Sequence, residues 1–293
     1  MKTASHVADH PVKPAEYKSS LKPVWCPGCG DYGVLNALCQ AFSRLRLKVE
    51  DTMIVSGIGC SSRLPGYLRS YGFNAVHGRA LPIAIGAKLA NPKLNVIAAG
   101  GDGDGFSIGI GHFPHACRRN VDITYIVMDN QIYGLTKGQL SPTSPDQVIT
   151  STSRYGSIET PIDPIRMALG CEASFVARGF AGDVKHLVEV LIRAIQHPGF
   201  SFVKILSPCV TYVGKQQFLE IKQRLHYLEQ DPEHDPEDIV SAVKVLHEKD
   251  VISVGVIHRL ERPHYQEKLK KLNKIAARKH REKLEEILDT FRP

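Results

Sequence analysis

No window of this 293-residue chain approaches 18 uninterrupted apolar residues. Its first 20 residues are polar, carry Pro11 and Pro14, and lack an apolar core of signal-peptide length. A membrane span and a secretory leader are thereby set aside, and the chain reads as soluble and cytoplasmic. Two phosphate-binding signatures are missing as well. The glycines at 100–105 are not followed by Gly-Lys-Ser/Thr, as a Walker loop requires, and a GxGxxG count from Gly103 meets Ile108 where its third glycine should stand. No internal repeat is visible. A basic surface organised for nucleic acid is also lacking, although the net charge is +7. Residues 264–293 hold nine Lys or Arg against five Asp or Glu, so more than half of the excess sits in one terminal segment. That segment reads as a solvated helix face, or as a surface that steers an acidic protein partner or packs on a partner subunit.

What is present is an ordinary globular composition, 43% hydrophobic, in a chain long enough to bury a substantial core. The pattern is clearest between Asn95 and Leu135. Val96–Ala99 is a short apolar run bounded by turn residues, the mark of a buried strand, and it breaks into Gly100-Gly101-Asp102-Gly103-Asp104-Gly105. The spacing predicts a helix over 106–119 and a second strand over 123–128, which ends at Asp129-Asn130. In such a βαβ unit the carboxyl ends of both strands share one edge, where open parallel sheets bind ligands, so Asp102 and Asn130 should meet there. A carboxylate, an amide oxygen and a backbone carbonyl suit a hard cation that also holds phosphates. Glycines let backbone amides approach those phosphates. The competing reading is a glycine turn whose Asp merely caps a helix.

Helices are further expected over 32–45, 81–89, 165–169 and 184–195, and strands over 53–56, 175–177 and 201–206. Residues 140–149, with two prolines and three hydroxyl side chains, read as a surface loop of the ligand-carrying kind. The alternation argues for a doubly wound α/β domain over 21–214, preceded by an arm at 1–20. Beyond 214 the composition changes to a mostly helical extension, 215–293, with helices over 215–230, 236–248 and 263–291 and a short strand over 251–257.

Seven cysteines lie at 26, 29, 39, 60, 117, 171 and 209. Trp25-Cys26-Pro27-Gly28-Cys29 before a helix has the outline of a thiol–disulfide site, but two more cysteines occupy comparable edge positions. Cys60 ends the Gly57-Ile58-Gly59-Cys60 turn, and Cys209 follows a proline just past the last core strand. Four thiolates fit zinc or an iron–sulfur cluster equally well by ligand type, and buried, inert cysteines are the remaining reading. Cys39, Cys117 and Cys171 fall inside predicted elements and read as core. A zinc-stapled protein that binds some phosphate compound, or a thiol–disulfide reductase, would follow from the rival readings.

Gly-Asp-Gly followed 28 residues later by Asn130 resembles the thiamine diphosphate signature. HGRALPIAIGAKLANP (77–92), GGDGDGFSIG and IVMDNQIYGLTKGQ more specifically resemble the beta subunit of 2-oxoacid:ferredoxin oxidoreductases, of the kind acting on 2-oxoglutarate. The resemblance spans roughly 20–265 and leaves the last thirty residues unplaced. It implies the thiamine diphosphate-binding fold and a [4Fe-4S] cluster on Cys26, Cys29, Cys60 and Cys209. It further implies Mg²⁺ on Asp102, Asn130 and the carbonyl of Ile132, with loop amides of Gly103 and Asp104 on phosphate and Gly59, Cys60, Gly101, Gly134 and Leu135 around the cofactor.

The activity so implied is CoA-acylating oxidative decarboxylation of 2-oxoglutarate to succinyl-CoA and CO₂, with electrons passed through the cluster to ferredoxin. Pyruvate or a branched-chain 2-oxoacid is the alternative substrate. An alpha subunit should supply a Glu that grips the aminopyrimidine, in an assembly of two alpha and two beta chains, so the chain alone is expected to be inactive. Four further residues are singled out. Arg63 could pair the distal carboxylate of 2-oxoglutarate. His77 could donate to the diphosphate or move a proton, and Lys137 resembles a position near coenzyme A or substrate, with Leu135 against the substrate side chain. For Arg63, His77 and Lys137 the competing readings are a surface cation, a structural histidine and a solvated lysine.

Overall fold

The computed structural model describes residues 8, 10–248, 250–279 and 284–292. Its strands in chain order are β1 (Thr52–Ser56), β2 (Tyr71–Asn74), β3 (Asn95–Gly101), β4 (Ile123–Asp129), β5 (Ile132–Tyr133), β6 (Gln139–Leu140), β7 (Phe175–Phe180), β8 (Phe200–Leu206), β9 (Leu225–Tyr227) and β10 (Ile252–Arg259). Eight of them form one sheet in the order β2-β1-β3-β4-β8-β7-β10-β9; β5 and β6 make a separate hairpin. From β2 to β7 all pairings are parallel, and β10 then joins antiparallel to β7.

The apolar runs are continuous because both faces of the sheet are covered. Ile97, Ile126 and Val203 point to one side. There they pack against Val34, Leu38 and Phe42 of the helix Asp31–Leu45 and Leu187 and Leu191 of the helix Val184–Gln196. Their neighbours Val96, Tyr125, Val127 and Phe202 point to the other side, onto Ala80 and Ala84 of the helix Ala80–Ala90, Phe113 of the helix Phe113–Arg119 and Ile165. This is the doubly wound architecture the alternation predicted.

Three elements differ from expectation. The helix expected over 106–119 is split: a turn of helix spans Asp102–Phe106, the chain breaks at Ser107, and a second helix spans Phe113–Arg119. Gly105, Gly109 and Gly111 weaken the intervening stretch, and Pro114 suits a first helical turn but no interior. The helix expected over 215–230 stops at Gln223, after which β9 forms. The strand near 251–257 is longer, Ile252–Arg259, and it extends the main sheet instead of standing in an appendage. Periodicity carries no trace of the partner a strand selects.

At the start of the chain, Tyr17 is buried and its hydroxyl donates to the Leu47 carbonyl at 2.7 Å, which holds this part of the arm against the body. Residues 1–7 lie outside the described residues. Two helices close the described chain, Tyr265–Lys279 and Leu284–Asp289, and residues 280–283 of the helix expected over 263–291 lie outside the described residues. The first begins at the amino edge of the sheet: the Tyr265 N–H donates to the Asn120 carbonyl, and the Gln266 side chain accepts from the Asp122 N–H. The strand β2 is the open edge of the sheet, and all four of its residues are exposed. Among the described residues no helix is long and apolar enough to cross a membrane.

Candidate active site at the carboxyl edge

The ends of β3 and β4 meet as the βαβ geometry requires. The Asn130 N–H reaches Asp102 Oδ1 at 3.4 Å. Beyond β4 the backbone folds into a tight Asx turn, in which Asn130 Oδ1 accepts from the Ile132 N–H at 3.0 Å and Gln131 takes φ +60°. Left-handed backbone at a non-glycine residue is uncommon, and here side-chain acceptors hold it on both sides, since Asp129 Oδ1 also accepts from the Gln131 N–H at 3.1 Å.

A cleft opens between these turns, with about 510 Å³ of empty space including the solvent at its mouth. Its lining includes Gly59, Cys60, His77, Gly101, Asp102, Gly103, Asp104, Asn130, Ile132, Gly134 and Leu135. Eleven residues singled out from the sequence thus converge on one cavity. Arg63 and Lys137 are exposed and do not line it. Lys137 stands at φ +81° in the loop of the β5–β6 hairpin.

Asp102 is 2% exposed. Burial, then the neighbouring Asp129, pushes its carboxyl well above its ordinary 3.8. Asp129 has its own counterion, Lys204, at 2.9 Å, whereas among the described residues Asp102 has none within ion-pair distance. The Thr143 hydroxyl lies 2.9 Å from Asp102 Oδ2 and 3.0 Å from Asp129 Oδ1, and its single proton serves one of them at a time. The site therefore holds a buried negative group in need of a cation. One lone pair of Asn130 Oδ1 remains after the Asx bond, and the Ile132 carbonyl adjoins. This donor set fits Mg²⁺, whose remaining positions phosphate and water would fill. Among the described residues, no three His, Cys, Asp or Glu side chains are gathered to hold an ion unaided.

Besides the backbone amide singled out from the sequence, Asp104 has a structural role through its side chain. Its side chain is 3% exposed and turned inward, where Oδ1 accepts from Ile58 N–H at 3.0 Å and Gly78 N–H at 2.8 Å and lies 3.0 Å from His77 Nδ1. One carboxylate thus ties two loops, the turn after β1 and the 77–78 segment, to the glycine turn. It also fixes the His77 ring, making Nδ1 the donor and leaving Nε2 for a ligand. A Cβ on Gly57 would stand 1.8 Å from Asp104 Oδ2, so only glycine fits there. Tyr133 completes the frame by donating its hydroxyl to the Gly103 carbonyl at 3.0 Å.

The cysteine loops are pinned together by their neighbours. Trp25 Nε1 donates to the Cys60 carbonyl at 2.8 Å, and the Gly30 N–H donates to the Pro208 carbonyl at 3.3 Å. The first bond draws the 26–29 turn to Cys60 and the second draws it to Cys209. A Cβ built on Gly134 would lie 3.6 Å from Cys60 Sγ, 3.8 Å from Cys209 Sγ and 3.7 Å from the Asn130 amide nitrogen. Burial, Asp31 and the Cys60 and Cys209 thiols push the Cys29 thiol up, and burial, Asp31, Cys209 and Cys26 push Cys60 to about 12. Thiols that raise one another in this way would ionise together only beside a strong cation, which fits a metal cluster. A nucleophilic dithiol needs the opposite shift. Cys39 and Cys117 are buried in the core, as expected, and Cys171 is partly buried.

Three contributors were not legible beforehand. Thr143 sits in the 140–149 loop, whose first hydroxyls are buried and not at the surface: Ser141 is 7% exposed and Thr143 3%. Asp31, two residues after Cys29, lines the cleft, accepts from Ser207 Oγ at 2.7 Å, and has its carboxyl pushed up by burial to about 6. Ser61 is the third. The only signal for the first was a group of hydroxyls between prolines; the other two depend on contacts distant in sequence.

Residues 57–205 match the family model described as thiamine pyrophosphate enzyme, C-terminal TPP binding domain, and residues 209–274 match the model for the C-terminal part of the pyruvate ferredoxin oxidoreductase beta chain. The chain is 40% identical over 268 residues to 2-oxoacid:ferredoxin oxidoreductase 2, subunit beta, of Aeropyrum pernix, covering 88% of this chain and 87% of that one. It is 38% identical over 267 residues to the 2-oxoglutarate synthase subunit KorB of Methanocaldococcus jannaschii, covering 90% and 97%. A solved structure of 2-oxoglutarate:ferredoxin oxidoreductase from Magnetococcus marinus, with 2-oxoglutarate, coenzyme A and succinyl-CoA bound, superposes with a TM-score of 0.92 at 37% identity, over 99% of this chain and 100% of that chain.

Proposed function

Since the chain belongs to the beta subunits of the 2-oxoacid:ferredoxin oxidoreductases, we propose that it holds the diphosphate half of thiamine diphosphate and a [4Fe-4S] cluster side by side, and acts on 2-oxoglutarate with an alpha subunit. The observation that carries this reading is the junction at Gly134. A residue without a side chain there leaves Cys60, Cys209 and Asn130 facing one space, so that a cluster held by those cysteines would lie beside the diphosphate site.

Asp102, Asn130 and the Ile132 carbonyl would hold Mg²⁺, with the first-turn amides of Gly103 and Asp104 toward phosphate. Thiamine diphosphate supplies a nucleophilic carbon and an electron sink for decarboxylation. Cys26, Cys29, Cys60 and Cys209 would hold the cluster, and Cys26, the exposed member of the four, marks the side from which ferredoxin takes electrons. His77, held by Asp104, presents Nε2 to the cleft to bind phosphate or move a proton. Leu135 at the rim contacts the substrate chain and Lys137 draws coenzyme A. Arg63, exposed three residues beyond Cys60, pairs the distal carboxylate of 2-oxoglutarate once a partner covers the cleft. The aminopyrimidine half, with its Glu, falls to the alpha subunit.

The test is anaerobic purification with the alpha subunit, followed by measurement of iron, sulfide and zinc, EPR after dithionite reduction, and turnover with 2-oxoglutarate and pyruvate. Four irons per beta chain with sulfide and faster turnover of 2-oxoglutarate would bear the reading out. Zinc without sulfide would discard the electron-transfer role. If Arg63 sets specificity, Arg63→Leu raises KM for 2-oxoglutarate far more than for pyruvate; equal effects would remove it from that role.

A further inference from the structure

One hydroxyl in the cleft has no partner among the described residues. Ser61 is 4% exposed, and its Oγ is buried without a hydrogen bond. Its neighbours are satisfied. Ser62 Oγ donates to the Gly59 carbonyl at 2.6 Å, and the Ser62 carbonyl accepts from Ser56 Oγ and Asn74 Nδ2, both at 3.0 Å. These bonds fix the turn Ser61–Arg63 and hold Ser61 at the cleft wall. Its Oγ lies 3.4 Å from where a Cβ on Gly101 would stand, directly over the backbone that leads into Asp102.

A buried hydroxyl left unpaired is costly, and native structures rarely leave one so without a ligand to meet it. We propose that Ser61 is a ligand-binding residue, whose hydroxyl donates a hydrogen bond to an anionic oxygen of the molecule filling the cleft. The position over Gly101, beside the cation-demanding Asp102 and the amides of the glycine turn, favours a phosphate oxygen of thiamine diphosphate; a carboxylate oxygen of the 2-oxoacid offers the same chemistry. The inference rests on the cofactor reading given above.

The experiment uses the alpha–beta complex freed of thiamine diphosphate, as wild type, Ser61→Ala and Ser61→Thr. Fluorescence quenching by added thiamine diphosphate at saturating Mg²⁺ gives its Kd, steady-state turnover gives KM for 2-oxoglutarate, and iron content reports on the adjoining Cys60. One hydrogen bond to a charged group corresponds to a loss of about tenfold or more. Ser61→Ala is therefore expected to raise the thiamine diphosphate Kd about tenfold at unchanged iron content, with Ser61→Thr close to wild type. A tenfold rise in KM for 2-oxoglutarate at unchanged Kd would assign the hydroxyl to the substrate carboxylate instead. Unchanged Kd and KM in Ser61→Ala would overturn the proposal, even if the reduction potential of the cluster moved. Wild-type complex that takes up no thiamine diphosphate would remove the cofactor reading and Ser61's role with it, an outcome the wild-type titration alone identifies.

Discussion

The two edges of the main sheet are built from opposite materials. At the carboxyl edge the chain buries the carboxyls of Asp31, Asp102 and Asp104 among glycines and beside partly buried thiols, and each of these carboxyls is held by a bond from a distant loop. At the amino edge the buried charge is already neutralised, as in the Lys88–Asp122 pair at 2.9 Å. Over it lies the helix Tyr265–Lys279, with six Lys or Arg against one Glu and with Leu272 and Ile275 more than half exposed. β4 runs from one edge to the other in seven residues, roughly 20 Å at about 3.3 Å per residue. The carboxyl edge thus holds buried acid at Asp102 without a counterion among the described residues, while at the amino edge the buried Lys88 and its neighbour Asp122 neutralise each other. Buried acid without a counterion, and not net charge, marks the cleft.

The contrast breaks most severely if Asp102 can be dispensed with. Asp102→Ala in the complex is expected to abolish thiamine-dependent turnover, by a factor of about 10³ or more given that a charged ligand to the metal is lost, while iron content stays at the wild-type level. Retained turnover would remove the metal assignment. Cys209→Ser is expected to lower iron and sulfide in the purified complex and erase the EPR signal, whereas Cys117→Ser leaves both in place. Equal loss from the two variants would mean that core packing, not ligation, is being read.

A smaller effect is expected from Thr143→Val, which strips the shared hydroxyl from Asp102 and Asp129. A single hydrogen bond to charged groups is worth about 1.5–3 kcal/mol, so the Mg²⁺ affinity should fall by roughly tenfold or more. The pH dependence follows from the same carboxyl. Asp102 titrates above its ordinary 3.8 in the cofactor-free fold, and a metal ligand must be ionised. Mg²⁺ affinity therefore falls as pH is lowered through the raised value. For the cofactor-free chain, this group opposes folding increasingly as pH rises from 3.8 toward its raised value, and ceases to do so at lower pH. Calorimetric titration with Mg²⁺ and thermal unfolding across pH check both signs.

The least change is expected at the far edge. A partner held by the basic helix would sit roughly 20 Å along the sheet from the cysteines, beyond the Debye length of about 8 Å at physiological ionic strength. Deleting 264–293 should alter the KM for ferredoxin by less than about twofold at low or high salt. A salt-dependent rise would restore to the tail the steering role its composition suggests.

The sequence made the βαβ unit legible because strand, glycine turn and second strand are local, and parallel pairing leaves little freedom over where Asp102 and Asn130 end. The cysteine loops were legible as a set, while the bonds that gather them, from Trp25 and Gly30, were not. Asp104 shows the limit most clearly. Its backbone amide was read as facing phosphate, while its side-chain partners at 58, 77 and 78, from the turn after β1 and the approach to another helix, are encoded by nothing local. The destination of β10 was hidden for the same reason: an alternating strand declares its faces but not its neighbour.

The open strand β2 has a consequence for biogenesis. Tyr71-Gly72-Phe73-Asn74 carries no charge and no proline, the usual guards of a free edge, and Tyr71 and Phe73 are 58% and 45% exposed. A newly made chain therefore displays a strand that another copy could extend. Synthesis of the two subunits together, from adjacent messages or one, would shorten the time the chain stands alone, and recombinant chain made on its own should self-associate where co-expressed chain does not.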